Sequence, residues 1–148
     1  MHLIDLIDEL KKELKKIYEK LDYETKKDTR KIPDIKTGWY GFKKSEEDFP
    51  YIQISPMEEN VSLDENRIKI LFVVGVYSKE EDGWKDLALI INKLKMYFEE
   101  RTIISEKFTV DKSMPLKITY PDSHPYPQWF AFLEVNFNSY KIYNDLDL

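Results

Sequence analysis

The side chain with the clearest chemical potential is His124, set between Ser123 and Pro125 in a segment that also holds Pro121 and Pro127. A histidine works as a general base when a neighbouring group holds it in place, and Asp122 stands two residues upstream. One reading is therefore a small enzyme using Asp122 and His124. The competing reading is a loop histidine with no catalytic work, since no serine, cysteine or lysine is marked by its surroundings as a nucleophile. The other histidine, His2, follows the first residue and reads as a surface group. Carboxylates cluster at Glu58-Glu59 and at Glu80-Glu81-Asp82. Neither run has the alternating oxygen ligands and distal glutamate of a calcium loop, so both read as solvated loops. Glu134 alternates with Phe130 and Phe132; if that face is covered, the carboxylate needs a cation, with Arg67 or Lys69 as candidates, and otherwise it sits near the sheet rim. Lys26, Lys27, Arg30 and Lys31 form a basic strip. Without interleaved aromatic rings it reads as a linker rather than a nucleic-acid platform.

Phosphate-binding and nucleophile motifs are missing. The four glycines form neither a P-loop nor a GxGxxG turn, and there is no GxSxG elbow. The chain has no cysteine and two histidines, which removes disulfides, thiolate zinc sites and histidine-rich metal centres and fits a reducing compartment. Neither a cofactor nor a metal ion is expected. With 148 residues the chain is expected to be one domain. The formal net charge of −5 argues against general nucleic-acid binding, which wants a basic footprint. No apolar run approaches the ~18 residues of a membrane span, and the acidic, amphipathic start Met1-His2-Leu3-Ile4-Asp5 is unlike a signal peptide.

The elements that would position these residues follow from periodicity. Leu3, Ile7, Leu10, Leu14, Ile17 and Leu21 recur at alternating steps of four and three, which predicts a helix over residues 1–24 with Ile4 and Tyr18 widening its stripe. Phe49 to Ser55 reads as a strand that Pro56 ends. Met57 to Asn66 reads as a long acidic loop, and loops of that length usually have a function. Arg67 to Ser78 is the strongest strand, with Ile68, Ile70, Phe72, Val74 and Val76 on one face and a second half apolar on both, which places it centrally in its sheet. Trp84 to Arg101 reads as a second helix with a stripe of Trp84, Leu87, Ile90, Ile91, Leu94 and Phe98. Phe108–Val110 and Leu116–Tyr120 read as short strands, and Trp129 to Asn138 as the last long one; the tail 141–148 is acidic. The order predicts an α+β fold, an antiparallel and possibly mixed sheet with two main helices packed on one face. Phe72, Val74, Leu87, Ile91, Leu94 and Phe132 are the expected shared core. Trp39, Tyr40, Tyr126 and Tyr140 fall on irregular or terminal segments, where large rings often anchor interfaces.

Three pieces in this order carry a family resemblance: Phe49-Pro50-Tyr51-Ile52-Gln53-Ile54; Val73-Val74-Gly75-Val76-Tyr77 with Gly83-Trp84-Lys85-Asp86-Leu87; and His124-Pro125-Tyr126-Pro127-Gln128-Trp129-Phe130. Together they resemble the tail terminator (tail completion) proteins of phages and phage-tail-like bacteriocins of low-GC Gram-positive bacteria, in the contractile-tail branch. The resemblance spans residues 49–140 and departs from the family pattern at Gln128 and Ala131. It implies a non-enzymatic hexameric ring on the head-proximal end of a tail, assembled in the bacterial cytoplasm. Such a ring ends tube and sheath growth and offers a docking surface to a neck or collar protein; a neck (head–tail connector) protein is the related alternative. It further implies that Gly75, Tyr77, Trp84 and Trp129 are packing positions. The expected contacts with neighbouring subunits or the tube are Trp39, Tyr40, Met57, Glu58, Glu59, Asn60, Val61, Leu63 and Tyr126. A negative lumen would let DNA slide without sticking.

Overall fold

A computed structural model of the chain describes residues 2–19, 32–39, 45–105 and 107–140. Helix α1 (His2–Glu19) leads into strand β1 (Asp34–Thr37), a single 3-10 turn (Glu46–Asp48), β2 (Tyr51–Val61), β3 (Glu65–Tyr77), helix α2 (Gly83–Glu100), β4 (Phe108–Val110), β5 (Lys117–Thr119) and β6 (Gln128–Tyr140). The fold is α+β. The six strands make one mixed sheet in the order β1-β2-β3-β6-β4, with β5 also on β6. Only the β1–β2 pair is parallel. The sequence reading had no strand at 34–37, because Asp34, Lys36 and Thr37 hide the single buried apolar residue there, Ile35.

The alternation of β3 decides where the core sits. Its Ile68, Ile70, Phe72 and Val74 lie opposite Phe137, Val135, Leu133 and Ala131 of β6, and Ile52 and Ile54 of β2 complete the row. All ten are fully buried. Both helices cover this face. Leu6, Leu10, Leu14 and Tyr18 of α1 and Leu87, Ile90, Ile91, Leu94 and Phe98 of α2 join one cluster with it. The Tyr18 hydroxyl donates to the Ile90 carbonyl at 2.8 Å, which fixes the two helices against each other. In α1 the buried row begins at Leu6, which the spacing by fours and threes omits, and Ile4 is half exposed; Leu21 lies outside the described residues. At the end of α2, Lys112 Nζ donates to the Phe98 and Glu99 carbonyls, satisfying acceptors that a helix C-terminus leaves open.

Two core expectations are corrected by strand parity and helix phase. Phe132 is an even residue of β6, so it points to the sheet face opposite the helices, where it pairs in register with Val73. Trp84 is 53% exposed; the position that α2 buries in its first turn is Gly83.

A second, smaller aromatic cluster lies on that opposite face. The Phe49 ring sits 5.2 Å from Tyr51, 6.0 Å from Tyr77 and 6.0 Å from Phe130. Beneath it is Gly75, where a Cβ would come within 2.5 Å of the Tyr51 ring and 2.9 Å of Phe49. Alongside, Gln53 donates to Ser55 Oγ at 2.8 Å and Ser55 donates to the Gly38 carbonyl at 2.7 Å. That relay lets two polar side chains be buried in the sheet. Gly38 has φ +88°, a left-handed conformation suited to glycine, as the chain leaves β1.

Candidate functional site

The segment expected to be a loop, 57–66, is a β-hairpin arm. Strand β2 continues through Pro56 to Val61, with a register shift between Pro56 and Glu58, and pairs with β3 as far as Val61↔Asn66. Pro56 does not end the strand because β1 pairs only with residues 51–54; beyond them β2 is an edge, where a missing N–H breaks no ladder bond. The turn is short. Ser62 N–H donates to the Glu65 carbonyl at 3.0 Å, and Ser62 Oγ donates to the same oxygen at 2.7 Å.

The arm exposes apolar side chains on a rigid frame: Met57 is 45% exposed, Val61 67% and Leu63 81%. Glu58, Glu59 and Asn60 are exposed with them. Two of the arm's carboxylates are held, Glu58 by Lys69 Nζ at 3.6 Å and Glu65 by Arg67 Nε at 3.5 Å. Among the described residues no ion pair engages Glu59 or Asp64. Of the remaining expected contact residues, Trp39 is 64% exposed and Tyr40 lies outside the described residues.

The His124 loop is a packing junction. His124 Nδ1 accepts from the Phe130 backbone N–H at 3.0 Å, and its ring lies 5.3 Å from Trp129. Trp129 Nε1 donates to the Ser78 carbonyl at 2.9 Å. The Tyr126 hydroxyl donates to the Lys79 carbonyl, although the ring is 61% exposed. The indole also presses on Gly83, where a Cβ would fall 2.6 Å from Nε1. The glycine lets α2 begin directly under the ring. Trp129, Tyr126 and Gly83 thus tie the β3–α2 turn to the start of β6, while Gly75 and Tyr77 belong to the Phe49 cluster across the sheet. Among the described residues no hydrogen bond joins Asp122 to His124. The imidazole acceptor is spent on a backbone donor, and a neutral ring protonated on Nε2 is the form that can accept there.

The carboxylate runs are not assembled into a site. Among the described residues, no three histidine, cysteine or acidic side chains converge. Glu134 lies within 4.0 Å of Lys117 on β5, while Arg67 and Lys69 pair with Glu65 and Glu58 of the arm. β5 was placed next to β6 only by the fold, so this partner was invisible in the sequence. A cleft of about 350 Å³ opens between the end of α2 and residues 110–118, lined by Lys95, Glu99, Asp111, Met114 and Leu116 among others. Asp111 closes its own turn there, accepting from Ser113 N–H at 3.0 Å. No described helix is long and apolar enough to cross a membrane. Compared with known proteins, the sequence matches no family model and no curated protein.

Proposed function

We propose that this chain is a structural assembly protein of the tail-terminator type, a subunit of a hexameric ring that caps the head-proximal end of a phage tail or phage-tail-like particle. The observation that carries the reading is the hairpin arm, which holds Leu63 and Val61 in solvent on a hydrogen-bonded frame. Apolar side chains gathered on one exposed, rigid edge suit a contact surface. The arm would meet the tube, the sheath or a neighbouring subunit, and a neck or collar protein would dock on the other side of the ring. The engagement of His124 with Phe130 N–H supports a packing role for the loop that carries the third motif. The reading includes no catalysis, no cofactor, no specific nucleic-acid binding and assembly in the bacterial cytoplasm.

The test is imaging of tails from cells expressing a tagged copy. A ring of label at the head-proximal end is expected, and tails of irregular length are expected once Asn60 to Leu63 are deleted from a chain that still folds. A protein absent from purified tails and found only as isolated dimers would refute the proposal.

A further inference from the structure

Near its start, the outward edge of β6 is closed in two ways. From Glu134 back to Phe132 it pairs with β5, whose last partner is Thr119↔Phe132. Two steps further this register would set Pro121 opposite Phe130, and proline brings no N–H to a ladder. The ladder stops there and His124 takes over: Nδ1 accepts the Phe130 N–H at 3.0 Å, as a carbonyl of a neighbouring strand would. The imidazole extends the closed edge by one bond and fastens the loop 121–127 to β6. The bond requires a bare Nδ1, so the ring is neutral with its proton on Nε2. Unlike a carbonyl, that acceptor disappears when the ring takes a second proton.

We propose that His124 is an acid-operated latch on the edge of β6. With the imidazole neutral, the loop 121–127 is held at Phe130. With it protonated, two N–H donors face each other and the loop lets go of the strand edge. The surroundings leave this response to the imidazole itself. On its own loop, Asp122 is exposed and the Tyr126 hydroxyl is engaged by the Lys79 carbonyl. From β6 the ring meets the uncharged Trp129 indole at 5.3 Å. The β3–α2 turn brings Lys79, Glu80, Glu81 and Asp82, all exposed. Among the described residues, no carboxylate hydrogen-bonds or ion-pairs with the imidazole. An aromatic face tolerates a cation, so protonation costs the backbone bond rather than the packing of the ring on Trp129. The device belongs to the single chain and stands whether or not the chain caps a tail.

NMR of the isotope-labelled chain tests the latch. At about pH 7.5 the imidazole should show a bare Nδ1 and a protonated Nε2. Acidification from about pH 7.5 to about pH 5 spans the range in which histidines gain charge. Over it, protection of the Phe130 amide from hydrogen exchange should fall by about fivefold or more, once the intrinsic rate is allowed for. His124→Asn puts a side-chain oxygen that does not protonate near the site of Nδ1, and its Phe130 protection should stay within about twofold over the same range. The variant leaves His2 and every carboxylate in place, so a response owed to them would survive the change. A proton on Nδ1 at about pH 7.5, unchanged Phe130 protection in the parent, or an equal fall in His124→Asn would each overturn the proposal. The first two are read from the parent chain, so they decide the matter even where the variant fails to fold.

Discussion

Replacing Gly75 with alanine tests the reasoning about the face opposite the helices. The added methyl would lie 2.5 Å and 2.8 Å from two carbons of the Tyr51 ring and 2.9 Å from Phe49, so the Tyr51 ring must shift by close to an ångström. It has little room to do so. Tyr51 is 3% exposed, with Phe49 on one side and the Lys36 ammonium 5.4 Å from its centroid. Overpacking of this kind costs about 1–3 kcal/mol. Against it, alanine restricts the unfolded chain and returns about 0.4–1 kcal/mol, leaving a net loss of about 1–2 kcal/mol. The cause can be isolated with a double-mutant cycle. In a Tyr51→Ala background the two shortest contacts disappear and only Phe49 remains, so Gly75→Ala should then cost less than about 0.5 kcal/mol. Urea unfolding followed by tryptophan fluorescence gives all four stabilities. An equal loss in both backgrounds would show that the ring is not the obstacle, and no loss in the parent would show that the cluster is looser than its distances.

Four further outcomes follow from the same geometry. Leu94→Ala, at a fully buried position of α2, should cost about 2–5 kcal/mol in the same assay, and a loss under about 0.5 kcal/mol would mean that the helix phase is wrong. Burial first and the Glu13 charge second push the Tyr97 hydroxyl up to about 12, while burial and Asp48 push Tyr51 up to about 12. Since the unfolded phenols ionise near 10, stability is full below that pH and falls between pH 10 and 12, by on the order of 2–3 kcal/mol per tyrosine; a Tyr97→Phe variant whose alkaline melting curve keeps the parent's slope would refute this. Trp129→Ala should cost less than the ~3–5 kcal/mol of a fully buried ring, since the indole is half-buried. His124→Ala should cost about 0.5–1.5 kcal/mol for its hydrogen bond and leave particle assembly intact; a folded His124→Ala chain unable to assemble would reopen the chemistry of that loop.

What the sequence made legible was whatever repeats with a period. Alternation along Arg67–Ser78 placed Ile68, Ile70, Phe72 and Val74 on one face, and all four are buried there. The same alternation separated Phe132 from Leu133 on β6, yet it could not say which face the helices cover; Phe130 is held on the other side by Phe49, from a distant segment. Helical period put Trp84 in the stripe of α2, because period counts angle and ignores space. Close approach of the Trp129 indole to Gly83 takes up the first turn instead. The arm was illegible as strand because its exposed faces select no hydrophobic pattern. Its acidic residues and Pro56 look like a loop, and its extended form comes from a ladder to β3, which β6 braces along its whole length. The residues proposed for contact in 57–63 are exposed, but the signal that singled them out was loop length, a property this segment does not have.

The register of the sheet separates what keeps the chain folded from what the arm presents. β3 is paired on both sides along nearly all its length, so the base of the arm is anchored in the best-supported strand. From Met57 to Asp64 every side chain is exposed, and none belongs to the buried cluster that joins the sheet to the helices. Changes at Glu59, Val61 or Leu63 therefore remove little burial and fall where substitutions shift stability least. The apolar and acidic character of the tip owes nothing to the stability of the core. Its place on a braced hairpin, clear of the core, suits the contact role proposed for the arm.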